Sequence, residues 1–296
     1  MSHKLSSFKR IDKFVHELFD VHLLTDQEIK DIVELKNAQK TILDFRSGKI
    51  NITSSDYLKY IVPLIEVLLP WEEIKKRENR RDYGSFITNC KRRVAAKKQS
   101  DFYGVMFEVD IAARCLLSGG DVSFVEKKTS DYRQIEFIFT KKGIKIGIEC
   151  KSKRATHELT IDKLNRDILD RAEKFKEENL KQLGIDLDKK IIIFDITRKN
   201  YQPPQIANKI REIKVSDELD GIFLTWRELK SCDNGYSIET RYEPVGNVTK
   251  EDFPSMSYAF EIQQKNHGFV FFARKFTDSN PPSFKSYGTW KRIGKN

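Results

Sequence analysis

The chain has little of what would mark a membrane, secreted or zinc-scaffolded protein. No apolar run reaches the roughly 18–20 residues that a spanning helix needs. Residues 61–69 come nearest, and Pro63 and Glu66 interrupt them. A mean hydropathy of −0.56 with 33% charged residues excludes a membrane body. The opening MSHKLSSFKRIDKF has no apolar core of a secretory signal, so none is expected. Cysteine is scarce and scattered. Cys90, Cys115, Cys150 and Cys232 form no C-x-x-C pair and have no histidine at zinc spacing, which argues against a structural zinc or a disulfide scaffold. Cys115 and Cys150 fall in apolar segments, where a thiol acts as a small hydrophobe. A reducing cytoplasm is the simplest compartment. A Gly-rich phosphate loop and a Ser-His-Asp order are also missing, so kinase, ATPase and serine-hydrolase chemistry find no support. There is no internal repeat and no low-complexity segment.

What the chain does have is positive charge. Its 296 residues suffice for one large domain or two modest ones, and they carry a formal charge of +10. That charge is clustered. Residues 75–98 hold ten Lys or Arg against Glu78 and Asp82, and residues 264–296 hold seven against Asp278. Such clusters suit a polyanion, because phosphate neutralisation releases counterions. They suit a solvated surface equally well.

Residues 1–100 read as helix. Phe8, Ile11, Val15 and Leu18 recur at helical period. Thr25 and Glu28 form a capping box for a second helix that runs to about Phe45 and stops near Gly48. Ser54 or Ser55 can cap a third through Leu69. The period then changes. A helix over residues 101–118 is ended by Gly119-Gly120 and followed by strand-like runs at 121–126, 133–140 and 144–151, with Lys141-Lys142-Gly143 as a hairpin turn. A charged helix covers 160–183. The apolar run in 190–197 suits a strand covered on both faces. Residues 206–213 read as helix and 221–226 as a buried strand, with weaker strands at 236–242 and 268–273. This order implies a helical region over 1–100 and an α/β domain with a mixed sheet over 101–296.

Alternation in 144–151 places Ile144, Ile146, Ile148 and Cys150 on one strand face, and Gly147, Glu149 and Lys151 on the other, an open polar floor. Asp131 enters the preceding hairpin strand, so pairing can bring its carboxylate near Glu149. Asp121 or Glu136 takes that place if the register shifts. Two adjacent carboxylates suit a hard divalent cation, which can polarise a phosphate. A neighbouring lysine can orient water and offset charge on phosphorus. E-x-K alone better describes a surface ion pair.

With these residues in this order, the stretch resembles the PD-(D/E)xK nuclease superfamily. The match runs from Asp131 through a strand and turn to Glu149-Cys150-Lys151 and the follow-on Ser152-Lys153-Arg154. Ser130 stands where the motif has proline. Glu108, on the helix before the first strand, matches the family's helix glutamate, and Asp110 is its rival on another face. The resemblance covers residues 101–197. It implies a restriction-endonuclease-like α/β core and a Mg²⁺ site, with Mn²⁺ as a substitute. The ligands would be Asp131, Glu149 and the Cys150 carbonyl, helped by Glu108 directly or through water, with Lys151 assisting the attacking water. The implied reaction is hydrolysis of duplex DNA to leave a 5′-phosphate, and restriction or phage defence follows by analogy only. An RNA or branched-DNA nuclease and an inactive nucleic-acid-binding module are the alternatives. A homodimer or a protein activator is compatible with each.

Lys75, Lys76, Arg77, Arg80, Arg81, Lys91, Arg92, Arg93, Lys153 and Arg154 are the expected phosphate contacts. Lys163, Arg166 and Arg171 either face phosphates or make a solvated helix face. Asp195 either reaches the site or is satisfied locally. His157 is a loop residue beside the motif, while Tyr201, Trp226 and Trp290 suit packing better than base stacking.

Overall fold

The computed structural model describes residues 2–25, 27–30, 32–50, 54, 56–95, 99–125, 135–154, 159–198, 201–232, 235–245, 249–266 and 271–272. Four helices come first: α1 (Ser2–Phe19), α2 (Val33–Arg46), α3 (Val62–Lys75) and α4 (Arg81–Ala95). Helix α5 (Gln99–Leu117) leads into strands β1 (Asp121–Phe124), β2 (Phe137–Lys141) and β3 (Ile144–Ser152). Helices α6 (Ile161–Ala172) and α7 (Glu177–Leu183) cross over to β4 (Lys189–Asp195). Strands β5 (Gly221–Cys232) and β6 (Gly235–Pro244), helix α8 (Pro254–Asn266) and a two-residue β7 (Phe271–Phe272) complete the described elements.

The strands lie in chain order in one mixed sheet, six strands with short β7 at the edge. Pairing is antiparallel through β1, β2 and β3, parallel through β3, β4 and β5, and antiparallel again to β6 and β7. A parallel β3–β4 pair cannot be closed by a hairpin, and α6 and α7 supply the crossover. The protein is thus α/β, with helices flanking a mixed sheet.

Local chemistry accounts for the joints near β3. Lys142 and Gly143 both have positive φ (53° and 82°), which is the twist a two-residue hairpin turn requires. At the end of α5, Gly119 has φ 86°, and Gly120 lies so close to β2 that an added Cβ would stand 2.1 Å from Phe139 Cε2 and 2.9 Å from the Thr140 carbonyl oxygen. In β4, Ile191 and Ile193 join one buried cluster, and Ile192 and Phe194 join another, so both sheet faces are covered. The first cluster is continuous from Phe8 in α1 through α5 to Phe137, Ile148 and Phe260, so the N-terminal helices share a core with the sheet. The second packs Leu164, Ile168 and Phe175 against β4 and β5.

Several expected boundaries move. Helix α2 begins at Val33, well after the capping box, because the Gln39 side chain holds the preceding segment out of helix. It donates to the Thr25 and Gln27 carbonyls and accepts from the Ile29 amide. The charged helix is broken after Ala172 by a 3-10 turn and an extended Lys176. Strand β5 runs on to Cys232. Helix α8 was not expected; it starts at Pro254 and buries Met256, Ala259 and Phe260. Among the described residues, no helix is long and apolar enough to cross a membrane.

Candidate active site

Strand β3 delivers the central acid. Glu149 is 0% exposed, because β3 has strands on both sides and helices over both faces. The open floor expected beside it is instead covered: a Cβ on Gly147 would meet Leu187 at 2.4 Å and Phe175 at 3.1 Å. A buried carboxylate needs compensation, and the α6 end provides it. Arg171 and Lys174 both donate to Glu149 Oε1, the lysine at 2.7 Å. Lys174 also reaches Glu136 at 3.9 Å, so one ammonium bridges two carboxylates. The other Glu149 oxygen, Oε2, is buried without a hydrogen-bond partner among the described residues.

Glu136 lies at a bend just before β2. Its amide donates to the carbonyl of Ile148, the residue that Phe137 already faces. Glu108 comes from α5, is buried, and is engaged by Arg93 of α4. These three acids feel one another. Burial first, and the charge of Glu136 second, push the Glu108 carboxyl up to about 7 against the pull of Arg93, with Glu149 adding to the rise. Burial and Glu136 likewise raise Glu149, against Lys174 and Arg171. Burial opposes the Arg93 charge, but Glu108 outweighs it and holds the guanidinium above its ordinary value. The amine of Lys151 is half-buried and lowered, by burial first and then by Arg171 and Lys153.

The Cys150 carbonyl can be placed by alternation. Ile148 turns its carbonyl to β2, and Lys153 turns its amide to Asp195 in β4. Cys150 shares the phase of Ile148, so its carbonyl faces the β2 side, beyond the last β2–β3 ladder pair. The Cys150 thiol is buried and raised.

Comparison with protein-family models, with curated proteins and with solved structures finds no match.

The structure therefore brings together Glu108, Glu149, Lys151 and the Cys150 carbonyl from the expected set with Glu136, the acid expected there on a shifted register, turns Arg93 and Arg171 from expected or possible phosphate contacts to partners of these acids, and adds Lys174. Asp131, His157 and Trp290 lie outside the described residues. Among the described residues no three His, Cys, Asp or Glu side chains are grouped so as to hold a metal ion. Asp121 pairs with Arg80 at 2.9 Å and faces Thr140, at the other end of the β1–β2 ladder. Asp110 belongs to a different buried network, with Arg114 at 3.0 Å and Arg227 at 2.7 Å. Asp195 is bound locally, accepting from the Thr197 amide at 3.0 Å and from Ser152 Oγ at 3.2 Å.

The expected phosphate contacts divide. Arg154 is not a surface residue: its guanidinium is buried against Glu66 of α3 at 3.5 Å and over the Tyr201 ring. Arg93 turns inward to Glu108. Lys153 is largely covered and paired with Asp167, while Lys75 and Arg77 pair with Glu78 and Glu73. Arg80 bridges Asp82 and Asp121, and Lys76 is exposed beside Glu73. Arg81, Lys91 and Arg92 are exposed on α4, as Lys163 and Arg166 are on α6. Tyr201 and Trp226 are packing residues.

A signal for Arg171 was present in the sequence. Leu164, Ile168, Arg171 and Phe175 recur at 4, 3 and 4 residues, so this arginine occupies an inward position of an otherwise apolar stripe. Lys174 follows one turn later on the same side.

A cleft of about 560 Å³ adjoins the acids. One wall is the face of α4 that carries Arg81, Ser85, Asn89 and Arg92; the other is Phe124 and Val125, and Glu136 is also on the lining.

Proposed function

We propose that this chain is a Mg²⁺-dependent nuclease of the restriction-endonuclease-like type, hydrolysing phosphodiester bonds of DNA at the site around Glu149 and Lys151. The observation that carries the proposal is a fully buried strand carboxylate with one bare oxygen, on the same β3 face as a half-buried lysine whose charge is disfavoured. The helix–three strands–helix–strand order, with β4 parallel to β3, supports the fold assignment.

Glu149 Oε2 and the Cys150 carbonyl are hard oxygen donors of the kind Mg²⁺ prefers. They would hold the ion together with Asp131, with Glu108 assisting directly or through water. When bound, the ion supplies a Lewis acid against phosphate charge. The chain's own groups do the rest. Lys151, half-buried on the same strand face, would orient the attacking water and offset charge developing on the phosphate. Arg171 and Lys174 hold the Glu149 carboxylate in place through Oε1 and bring positive charge to the phosphate. Buried thiols at Cys90, Cys115 and Cys150 fit a reducing cytoplasm.

The test is cleavage of labelled duplex DNA in Mg²⁺ or Mn²⁺. Lys151→Ala and Asp131→Asn are each expected to lower the rate by about 10²-fold or more, the usual worth of a positioned proton-transfer group or charge stabiliser. Cleavage that survives both substitutions overturns the site. A nucleic-acid-binding module without cleavage is the second reading, favoured by the two cations already seated on Glu149. Tight binding with no cleavage of any duplex, single-stranded or branched substrate selects it.

A further inference from the structure

The cleft between α4 and the end of β1 differs from a flat basic patch. Helix α4 turns two faces in opposite directions. Tyr83, Ile87, Cys90 and Val94 are buried, while Ser85, Asn89 and Arg92, at spacings of four and three residues, line the cleft. Its apolar wall is Phe124 of β1, stacked on Phe86 with ring centroids 3.8 Å apart and planes 11° apart. Arg92 donates to Asn89 Oδ1 at 2.9 Å, and that partner is a neutral amide, so the guanidinium charge is not cancelled by it. The two acids on the lining are already engaged. Asp82 takes Arg80 and the Phe124 amide, and Glu136 faces Lys174.

We infer that this cleft takes one unpaired nucleotide of the substrate strand, its base against the aromatic wall and the Asn89 amide and its phosphate at Arg92. The inference rests on the nuclease reading of the neighbouring acids and narrows its substrate class. A volume of about 560 Å³ is in the range of small-ligand pockets and holds a single nucleotide rather than the cross-section of a duplex. Phe86 and Phe124 are buried with their faces spent on each other, so they give the base an apolar wall rather than a stacking platform; an amide for a base edge and an arginine for the backbone are groups by which proteins hold unstacked bases. Glu136 is on the cleft lining, so a nucleotide seated here lies beside the carboxylate that shares Lys174 with Glu149. The substrate is then a strand with unpaired nucleotides next to the scissile bond: single-stranded, overhanging or flipped out of a helix.

The experiment is fluorescence anisotropy of the full chain in EDTA with labelled blunt duplex DNA, the same duplex with a three-nucleotide overhang, single-stranded DNA and single-stranded RNA. Substrates with unpaired nucleotides are expected to bind about tenfold more tightly than blunt duplex, the order of one hydrogen bond to a charged group. Asn89→Ala and Arg92→Ala should each remove most of that preference. Ser85→Trp, which fills the cleft from an exposed helix position without altering charge, should do the same. Lys40→Ala, an exposed charge on α2, should leave it intact. Equal binding of paired and unpaired substrates, or a preference that survives Ser85→Trp, overturns the inference. Because EDTA removes the metal, those results are independent of whether Mg²⁺ supports cleavage. The DNA and RNA arms show which sugar the cleft accepts.

Discussion

Glu108 illustrates what one buried side chain does at this site. Its carboxyl is held near 7 because burial and Glu136 oppose its charge more than Arg93 favours it. A folded-state value above the ordinary 4.5 means that the native state binds this proton more tightly than the unfolded chain does. The resulting stability is complete below about pH 4.5 and is lost as pH rises toward 7. Glu108→Gln removes that dependence. Urea unfolding at pH 5 and pH 8 should show a smaller loss of stability in the variant than in the wild type, and equal losses would contradict the assignment. At the same scale, Glu149 and Lys151 were legible in the sequence because strand alternation fixes a shared side. The partners of Glu149 were less so. Lys174 carries no pattern of its own, and Arg171 shows only as a cation in an apolar stripe.

At the scale of elements, the joints that aim the site are steric. The α5–β1 joint sets α5, which carries Glu108, over the sheet, and Gly120 allows it by lying against the Phe139 ring and the Thr140 backbone. Gly120→Ala forces β2 or the ring to move. A loss of about 1–3 kcal/mol, the range for overpacking, should appear in denaturant unfolding. Strands and their turns could be read in advance, since Gly119-Gly120 and Lys142-Gly143 mark chain reversals. The start of α2 could not, because the side chain that holds Thr25, Gln27 and Ile29 out of helix, Gln39, comes from a later turn of α2 itself. A capping box is a local preference worth about a kcal/mol, and three hydrogen bonds from a buried amide exceed it. Helix α8 was hidden for a related reason: its stripe is short and owes its stability to packing on α5 and β6.

Across the whole molecule, one buried cluster links α1 to the sheet, and a charged network ties the same parts together. Glu66 of α3 meets Arg154 after β3 and Arg227 of β5, and Asp110 of α5 meets Arg227 and Arg114. Breaking one partner of such a network strands a buried charge, so the helices and the sheet should unfold together. Scanning calorimetry is expected to show a single transition with equal calorimetric and van't Hoff enthalpies; two resolved transitions would mean that residues 1–100 form a separate unit. Sequence by itself determined the α/β order, the β2–β3 hairpin and the shared face of Glu149 and Lys151, because these depend on periodicity and turn chemistry within a few residues. Only the tertiary structure decided which cations meet Glu149, that Arg154 and Arg93 turn inward, and that Glu136 joins the acids. Those outcomes depend on the cost of burying charge, which is set by what packs against a residue from elsewhere in the chain.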